Sequence, residues 1–312
     1  MSTPLHFESA VLTRYSAASQ FKVEVLCCPV EYDREYLKVI PQEVIERDYG
    51  CGDPSKYVKP GETVLDLGSG TGKICFIAAQ VVGAKGRVIG IDMNDDMLAL
   101  ARKYAPVVGE RIGYQNVEFR KGRIQDLALD LEKLNDALKG EPIRDANSFL
   151  AAEARAATLR ATHPLVASGS IDVVVSNCVL NLVEPRVKAQ LFHEIFRVLK
   201  GGGRAVISDI VSEREVPIEL QNDPELWSGC ISGALTEEAF LNAFVRAGFH
   251  DVRILKRETK PWRIVAGIEF RSVTIEAFKE RDGEAREAGD ATEPMVGKSS
   301  PSSDCCNGPT CC

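Results

Sequence analysis

Between residues 61 and 210 the chain repeatedly sets a short apolar run against a longer amphipathic stretch. VLDL (64–67), RVIGID (87–92), NVEFRKG (116–122), IDVVVSNC (171–178) and RAVISDI (204–210) have the length and branched-residue content of buried strands. KICFIAAQVV, MNDDMLALARKYAP and EPRVKAQLFHEIFRVLKGGG carry the longer helical period. Asn94 is placed to cap the second of these helices, and glycines stop the third. Strands alternating with helices predict an α/β fold: a doubly wound, mostly parallel sheet of Rossmann-like type. Cys178 is expected to be the last residue of the fourth strand.

The same pattern divides the chain. Residues 1–60 read as a mostly helical segment ending in the turn RDYGCGDP, and 61–212 as the alternating domain. A polar, alanine-rich insert at about 128–165 belongs on its surface. After it, ELQNDPELWSGCISGALT reads as a loop and TEEAFLNAFVRAGF as a helix. Two alternating strands near 251–258 and 263–274 complete a smaller C-terminal α+β cap over 213–280, packed over the sheet edge. Residues 281–312 are too polar to bury a core and read as a flexible, cysteine-rich tail.

Charge removes some partners. The formal net charge is −7 and no stretch gathers Lys and Arg into a basic stripe, which excludes a nucleic-acid partner. No apolar run is long enough for a membrane helix, and MSTPLHFESAVLTRYS lacks the layout of a signal peptide. The expectation is a cytoplasmic protein with no membrane contact. In a reducing compartment, ten cysteines argue for thiol chemistry or soft-metal ligation rather than disulfides.

The strongest motif is VLDLGSGTG (64–72). Gly68, Ser69, Gly70 and Gly72 form a turn that lets backbone approach a ligand at a helix N-terminus. A dinucleotide site is the rival. Asp66 opposes it, because a carboxylate there repels pyrophosphate but can organise a site for an ammonium-bearing ligand. DLGSGTG is similar to the motif of S-adenosylmethionine-dependent methyltransferases, and the resemblance runs from residue 61 to about 210. It implies S-adenosyl-L-methionine as cofactor. Asp92, ending strand two in GIDM, can accept both ribose hydroxyls; Met93 can pack on adenine, and Arg123 with Ile124 can close the adenine slot.

The thiols narrow the reading. Cys75, in KICFIAA, is expected to be core. Cys178 follows polar Ser176 and Asn177, which suggests the lining of a crevice at the carboxyl end of a strand, with Asn177 expected to bind the cofactor. Cys51 in YGCGDP and Cys230 in SGCISGAL are flanked by glycines, which are expected to expose a thiol rather than pack it. Together RDYGCG, SNCVLNLV, WSGCISGALT, DLGSGTGKIC and GIDM resemble the arsenite methyltransferases, from about residue 15 to 280. The resemblance implies that Cys51, Cys178 and Cys230 hold trivalent arsenic beside the cofactor. It implies further that Cys27 or Cys28, in VLCCPVEY, forms a disulfide with Cys51 during turnover, and that Tyr15 and Tyr49 lie near the cofactor. A thiol reductant, glutathione or thioredoxin, would restore the cysteines. The substrates would be arsenite or its thiol conjugates and methylarsenite, the enzyme a monomer, and the role arsenic detoxification.

The chemistry suits these residues. Arsenic(III) is soft and thiophilic, and three sulfurs leave its lone pair as nucleophile, so methyl transfer needs positioning rather than a base. Arsenic affinity is expected to rise with pH as the thiols ionise. An oxygen or nitrogen acceptor generally wants a base; His6, His163, His193 and His250 all fall away from the expected meeting point. Trp227 is expected to anchor its loop by packing. Cys305, Cys306, Cys311 and Cys312, in CCNGPTCC, could capture arsenic, bind zinc or copper, or be dispensable. The alternatives are a methyltransferase of a sterol or quinone acceptor, which would not need the three thiols, and a metal-sequestering protein, which would not need Asp66, the glycine turn or Asp92.

Overall fold

The computed structural model describes residues 7–20 and 30–281. Cys27, Cys28, Cys305, Cys306, Cys311, Cys312 and His6 therefore lie outside the described residues, as does the tail from 282. The central strands are β1 (Thr63–Leu67), β2 (Arg87–Asp92), β3 (Val117–Lys121), β4 (Ile171–Asn177) and β5 (Leu199–Ser212), followed by β6 (Leu235–Thr236), β7 (His250–Arg257), β8 (Arg263–Val265) and β9 (Ile268–Phe278). They form one nine-stranded sheet with the path β3-β2-β1-β4-β5-β9-β7, while β6 pairs with β5 and β8 with β9. The first five are mutually parallel.

The helices are α1 (Phe7–Gln20), α2 (Arg34–Leu37), α3 (Gln42–Glu46), α4 (Lys73–Val82), α5 (Asp95–Ile112), α6 (Leu131–Leu138), α7 (Ala146–Thr162), α8 (Pro185–Val198), α9 (Ile218–Gln221), α10 (Pro224–Ser228) and α11 (Glu237–Arg246). Alternation along the strands builds the two cores. Leu65, Leu67 and Val174 face a cluster with α8 and α11, while Val64, Val173 and Val175 face α4 and α5. Leu191, Phe192, Ile195 and Val198 make the buried stripe of α8. Full burial of each such side chain contributes about 1.5–3 kcal/mol. Asn94 caps α5 as expected, its Oδ1 accepting from the Asp96 and Met97 amides at 2.9 and 3.1 Å. The helix continues past Pro106 to a left-handed Gly113. The insert consists of α6 and α7, with no residue of α6 and only Ala152 and Ala156 of α7 buried.

Expectation needs correction in two regions. The C-terminal strands do not sit over the sheet edge but extend the sheet itself: β9 pairs antiparallel with β5 from Arg204 to Ser212, and β7 pairs with β9. The stretch predicted as one strand over 263–274 is a hairpin, β8 and β9, turned by Ala266 and Gly267 with positive φ. Second, β4 stops at Asn177, one residue before Cys178, which has φ 64°. No helix among the described residues is long and apolar enough to cross a membrane.

Candidate active site

The order of the parallel strands reverses between β1 and β4, and their carboxyl ends open a crevice there, where open α/β sheets bind ligands. A cavity occupies it, opening to solvent. Asp66, Gly68, Ser69 and Gly70 form its floor, with Asp92, Met93 and Ile124 to one side and Asn177 and Cys178 to the other. Tyr15 and Tyr49 also line it, their rings 6.2 Å apart and nearly perpendicular. Gly72 and Arg123, expected to bind the cofactor, do not line the cavity. Gly72 starts α4, and the Arg123 guanidinium pairs with Glu8 of α1 at 2.8 Å.

The turn is shaped by its carboxylates. Asp92 Oδ2 accepts the Gly70 amide at 2.8 Å and Oδ1 accepts the Asn94 amide at 2.9 Å. Gly70 has φ 52°, and a Cβ there would meet nothing within 4 Å, so the backbone itself faces the opening. Ser69 Oγ is buried without a hydrogen-bond partner. That orphaned hydroxyl, the bare turn and the two carboxylates fit a polar, cationic nucleoside-sized ligand. Burial pushes the Asp66 carboxyl up to about 7, against the opposing effect of a hydrogen bond from Cys75. Cys75 is core, as expected, yet its Sγ also donates to Asp66 Oδ2 at 3.2 Å. Nothing in KICFIAA announces that bond; it becomes visible only when α4 lies over β1.

Beside the cavity, three loops bring their cysteines together. Cys51, Cys178 and Cys230 share one small cluster with Ile210, Ile231 and Phe270. Cys230 Sγ donates to the Cys178 carbonyl at 3.0 Å, and Cys178 alone of the three also lines the cavity. The expectation that glycines would leave the thiols exposed is wrong: Cys51 is 5% exposed, Cys178 8% and Cys230 3%. The glycines around Cys51 serve close packing, since a Cβ on Gly50 would lie 2.1 Å from the Asn177 amide nitrogen and one on Gly52 2.5 Å from Ser208 Oγ. Cys178 and Cys230 both hold left-handed backbone, with φ 64° and 61°, a conformation that costs a non-glycine residue on the order of 1 kcal/mol.

The electrostatics keep the Cys178 and Cys51 thiols protonated. Hydrogen bonding to Cys230 and Cys51, with burial, raises the Cys178 thiol well above the ordinary range; burial raises Cys51. Asp209, at the end of the parallel part of β5, was not singled out from sequence. One of its oxygens lies within 4.8 Å of the Cys51 and Cys178 sulfurs. Its carboxylate is already committed, accepting Asn181 Nδ2 (2.9 Å) and the Ile210 amide (2.7 Å) at Oδ1, and the Leu180 (2.9 Å) and Asn181 (3.3 Å) amides at Oδ2. It reads as an anchor of the Cys178 loop rather than as a free ligand. Burial raises Asp209 to about 6 and lowers the nearby Lys188 to about 8. Lys188 Nζ donates to the Gly233 carbonyl at 2.6 Å, tying the Cys230 loop to α8. Trp227 anchors that loop as expected, fully buried, with Nε1 donating to the Leu182 carbonyl at 3.1 Å. Among the described residues no histidine lines the cavity.

A parallel sheet of order 3-2-1-4-5, with carboxylates ending its first two strands around a glycine turn, defines the class I methyltransferase architecture. Residues 58–248 match the family model described as a methyltransferase domain. An arsenite methyltransferase from Aquipseudomonas alcaligenes is 35% identical over 264 residues, covering 83% of this chain and 63% of its own length. The Homo sapiens arsenite methyltransferase is 33% identical, covering 79% of this chain and 58% of its own. Among solved structures, CrArsM, an arsenic(III) S-adenosylmethionine methyltransferase from Chlamydomonas reinhardtii, superposes with TM-score 0.63 at 31% identity, over 81% of this chain and 75% of that one. The chain belongs to the methyltransferase-domain family, and within it to the arsenite methyltransferases. It spans about three fifths of the length of the two curated relatives.

Proposed function

We propose that this protein transfers methyl groups from S-adenosylmethionine to trivalent arsenic held by Cys51, Cys178 and Cys230. The observation that carries the reading is the meeting of three thiols from separate loops in one buried pocket that touches the cofactor cleft through Cys178. Arsenite enters as a neutral hydroxide: As(OH)₃ and three thiols give As(SR)₃ and three waters. The thiol protons leave on the departing oxygens, so capture stores no charge in the pocket.

The cofactor, when bound, supplies an activated methyl group. Asp66 is placed to accept from its ammonium, Asp92 from its ribose, and Met93 and Ile124 to pack on its base. Tyr15 sits between the two halves of the site: it lines the cavity, and burial keeps its phenol protonated. No side chain acts as base, in keeping with a nucleophile that is arsenic's own lone pair. Transfer of a methyl cation to that lone pair raises arsenic by two oxidation levels. Two electrons must then come from thiols, which is the reason to expect an external reductant of the glutathione or thioredoxin kind. Both halves of the site come from one chain, which suits a monomer working in a reducing cytoplasm.

The test is direct. With labelled S-adenosylmethionine, arsenite and glutathione, the full chain is expected to form methylated arsenicals, and Cys178→Ser or Cys230→Ser to abolish them while cofactor binding survives. Full activity in both variants would contradict the reading and return the sterol or quinone acceptor to consideration.

A further inference from the structure

Three sulfurs on three loops make one site only if something fixes the loops relative to each other. Cys178 and Cys230 are joined directly, by the thiol-to-carbonyl hydrogen bond. Cys51 arrives from a segment more than 120 residues earlier, and the contact that ties its backbone to the end of β4, next to Cys178, is the side chain of Asn177. Its Oδ1 accepts the Cys51 amide at 2.9 Å and the Gly52 amide at 3.0 Å. Its Nδ2 donates to the Gly52 carbonyl at 2.8 Å and to the Tyr32 hydroxyl at 3.2 Å. Both ends of the amide are spent, and the residue is 7% exposed. From the other side, Ser272 Oγ donates to the Cys51 carbonyl at 2.6 Å.

An amide is the group this place needs. Aspartate would accept the two backbone N–H groups but could not donate to the Gly52 carbonyl. An aliphatic side chain would strand two buried N–H groups and a carbonyl, each costly to leave unmade. The Cys51 side of the joint is equally specific, because Gly50 leaves the room the Asn177 amide occupies. Although Asn177 borders the cofactor cavity, its hydrogen-bonding capacity faces away from it, toward the Cys51 loop.

From this geometry we infer that Asn177 is a positioning residue that brings the third thiol to arsenic: it sets Cys51 against a pair, Cys178 and Cys230, that is assembled without it. The inference rests on the three-thiol reading above and predicts a difference that a merely structural asparagine would not produce. Arsenite uses three thiols. Phenylarsine oxide uses two, C₆H₅As=O and two thiols giving C₆H₅As(SR)₂ and water, and so can be held by the Cys178–Cys230 pair without Cys51.

The experiment uses the full-length chain with Cys27, Cys28, Cys305, Cys306, Cys311 and Cys312 changed to serine, so that other thiols do not capture the probes. Dissociation constants for arsenite, phenylarsine oxide and S-adenosylmethionine are measured in this background and in Asn177→Ala and Gly50→Ala. The arsenite constant is expected to rise at least about tenfold in both variants, the scale of buried hydrogen bonds left unmade, while the other two stay within about twofold. Unchanged arsenite binding overturns the inference, and so does a parallel loss of all three ligands. Failure of the serine background itself to bind arsenite, with phenylarsine oxide and cofactor still bound, would instead defeat the three-thiol reading.

Discussion

In the proposed cofactor site, Asp66 would make binding depend on pH. Burial holds its carboxyl at about 7 in the free protein, well above the ordinary carboxylate value. A cationic ammonium favours the ionised form, so binding draws a proton off Asp66, and affinity for S-adenosylmethionine should rise with pH through about 7 and then level off. Cys75 lowers this value through its hydrogen bond, so Cys75→Ala should move the rising limb to higher pH, and Asp66→Asn should abolish it. Calorimetric titration of the cofactor between about pH 5.5 and 8 checks both; a rising limb unchanged in Asp66→Asn would refute the assignment. The thiols follow a different rule. Because Cys51 and Cys178 are held as thiols in the free protein and their protons leave as water, the equilibrium affinity for arsenite should stay flat while they remain thiols. This replaces the expectation of affinity rising with pH; what rises with pH is the capture rate, since the thiolate is the nucleophile.

At the scale of elements, the site is a set of loops pinned to the sheet by polar anchors. Asp209 receives four N–H donors from Ile210 and from the Leu180–Asn181 segment. Asn181 Nδ2 also donates to the Ile210 carbonyl at 2.6 Å. Asp209→Ala strands several buried donors at once and should cost on the order of 3 kcal/mol, at about 1–3 per group with partial relaxation; the shift in urea midpoint at constant slope measures it. A loss under about 1 kcal/mol would mean that these bonds do not hold the loop. The Cys230 loop has its own tie, Lys188 to Gly233. Such anchors explain how Cys178 and Cys230 keep left-handed backbone without glycine's freedom.

For the whole molecule, the apolar periodicity made the strand and helix order legible, because parallel strands buried on both faces leave long branched runs such as IDVVV. The cofactor turn was legible too, since its glycines and carboxylates are adjacent in sequence. What the pattern hid is what depends on distant partners. The hairpin at 263–278 reads as one strand because its turn, Ala266-Gly267, interrupts the alternation by only two residues. The burial of the thiols was hidden because glycine beside cysteine reads equally as exposure or as close packing, and only Asn177 and Ser208 decide which. Helix α1 supplies a last link. It closes one side of the cavity with Glu8, Val11, Leu12 and Tyr15, and its Arg14 donates to the Glu225 carbonyl at 2.6 Å and Ser228 Oγ at 2.9 Å on α10, just before Cys230. Deleting residues 1–20 should weaken S-adenosylmethionine binding by about an order of magnitude, roughly 1.4 kcal/mol, in equilibrium dialysis; undiminished binding would show that α1 is no part of the cofactor site.

All of this turns on one proposed assembly, a single arsenic atom seated on three sulfurs. X-ray absorption at the arsenic edge reads it directly, on the full-length chain with serine at 27, 28, 305, 306, 311 and 312 and one equivalent of arsenite. The account predicts a first shell of three sulfurs and no oxygen, falling to two sulfurs and one oxygen when any one of Cys51, Cys178 or Cys230 is replaced by serine. An oxygen-coordinated arsenic in the unsubstituted pocket, or a three-sulfur shell that survives the loss of one of these thiols, would contradict it.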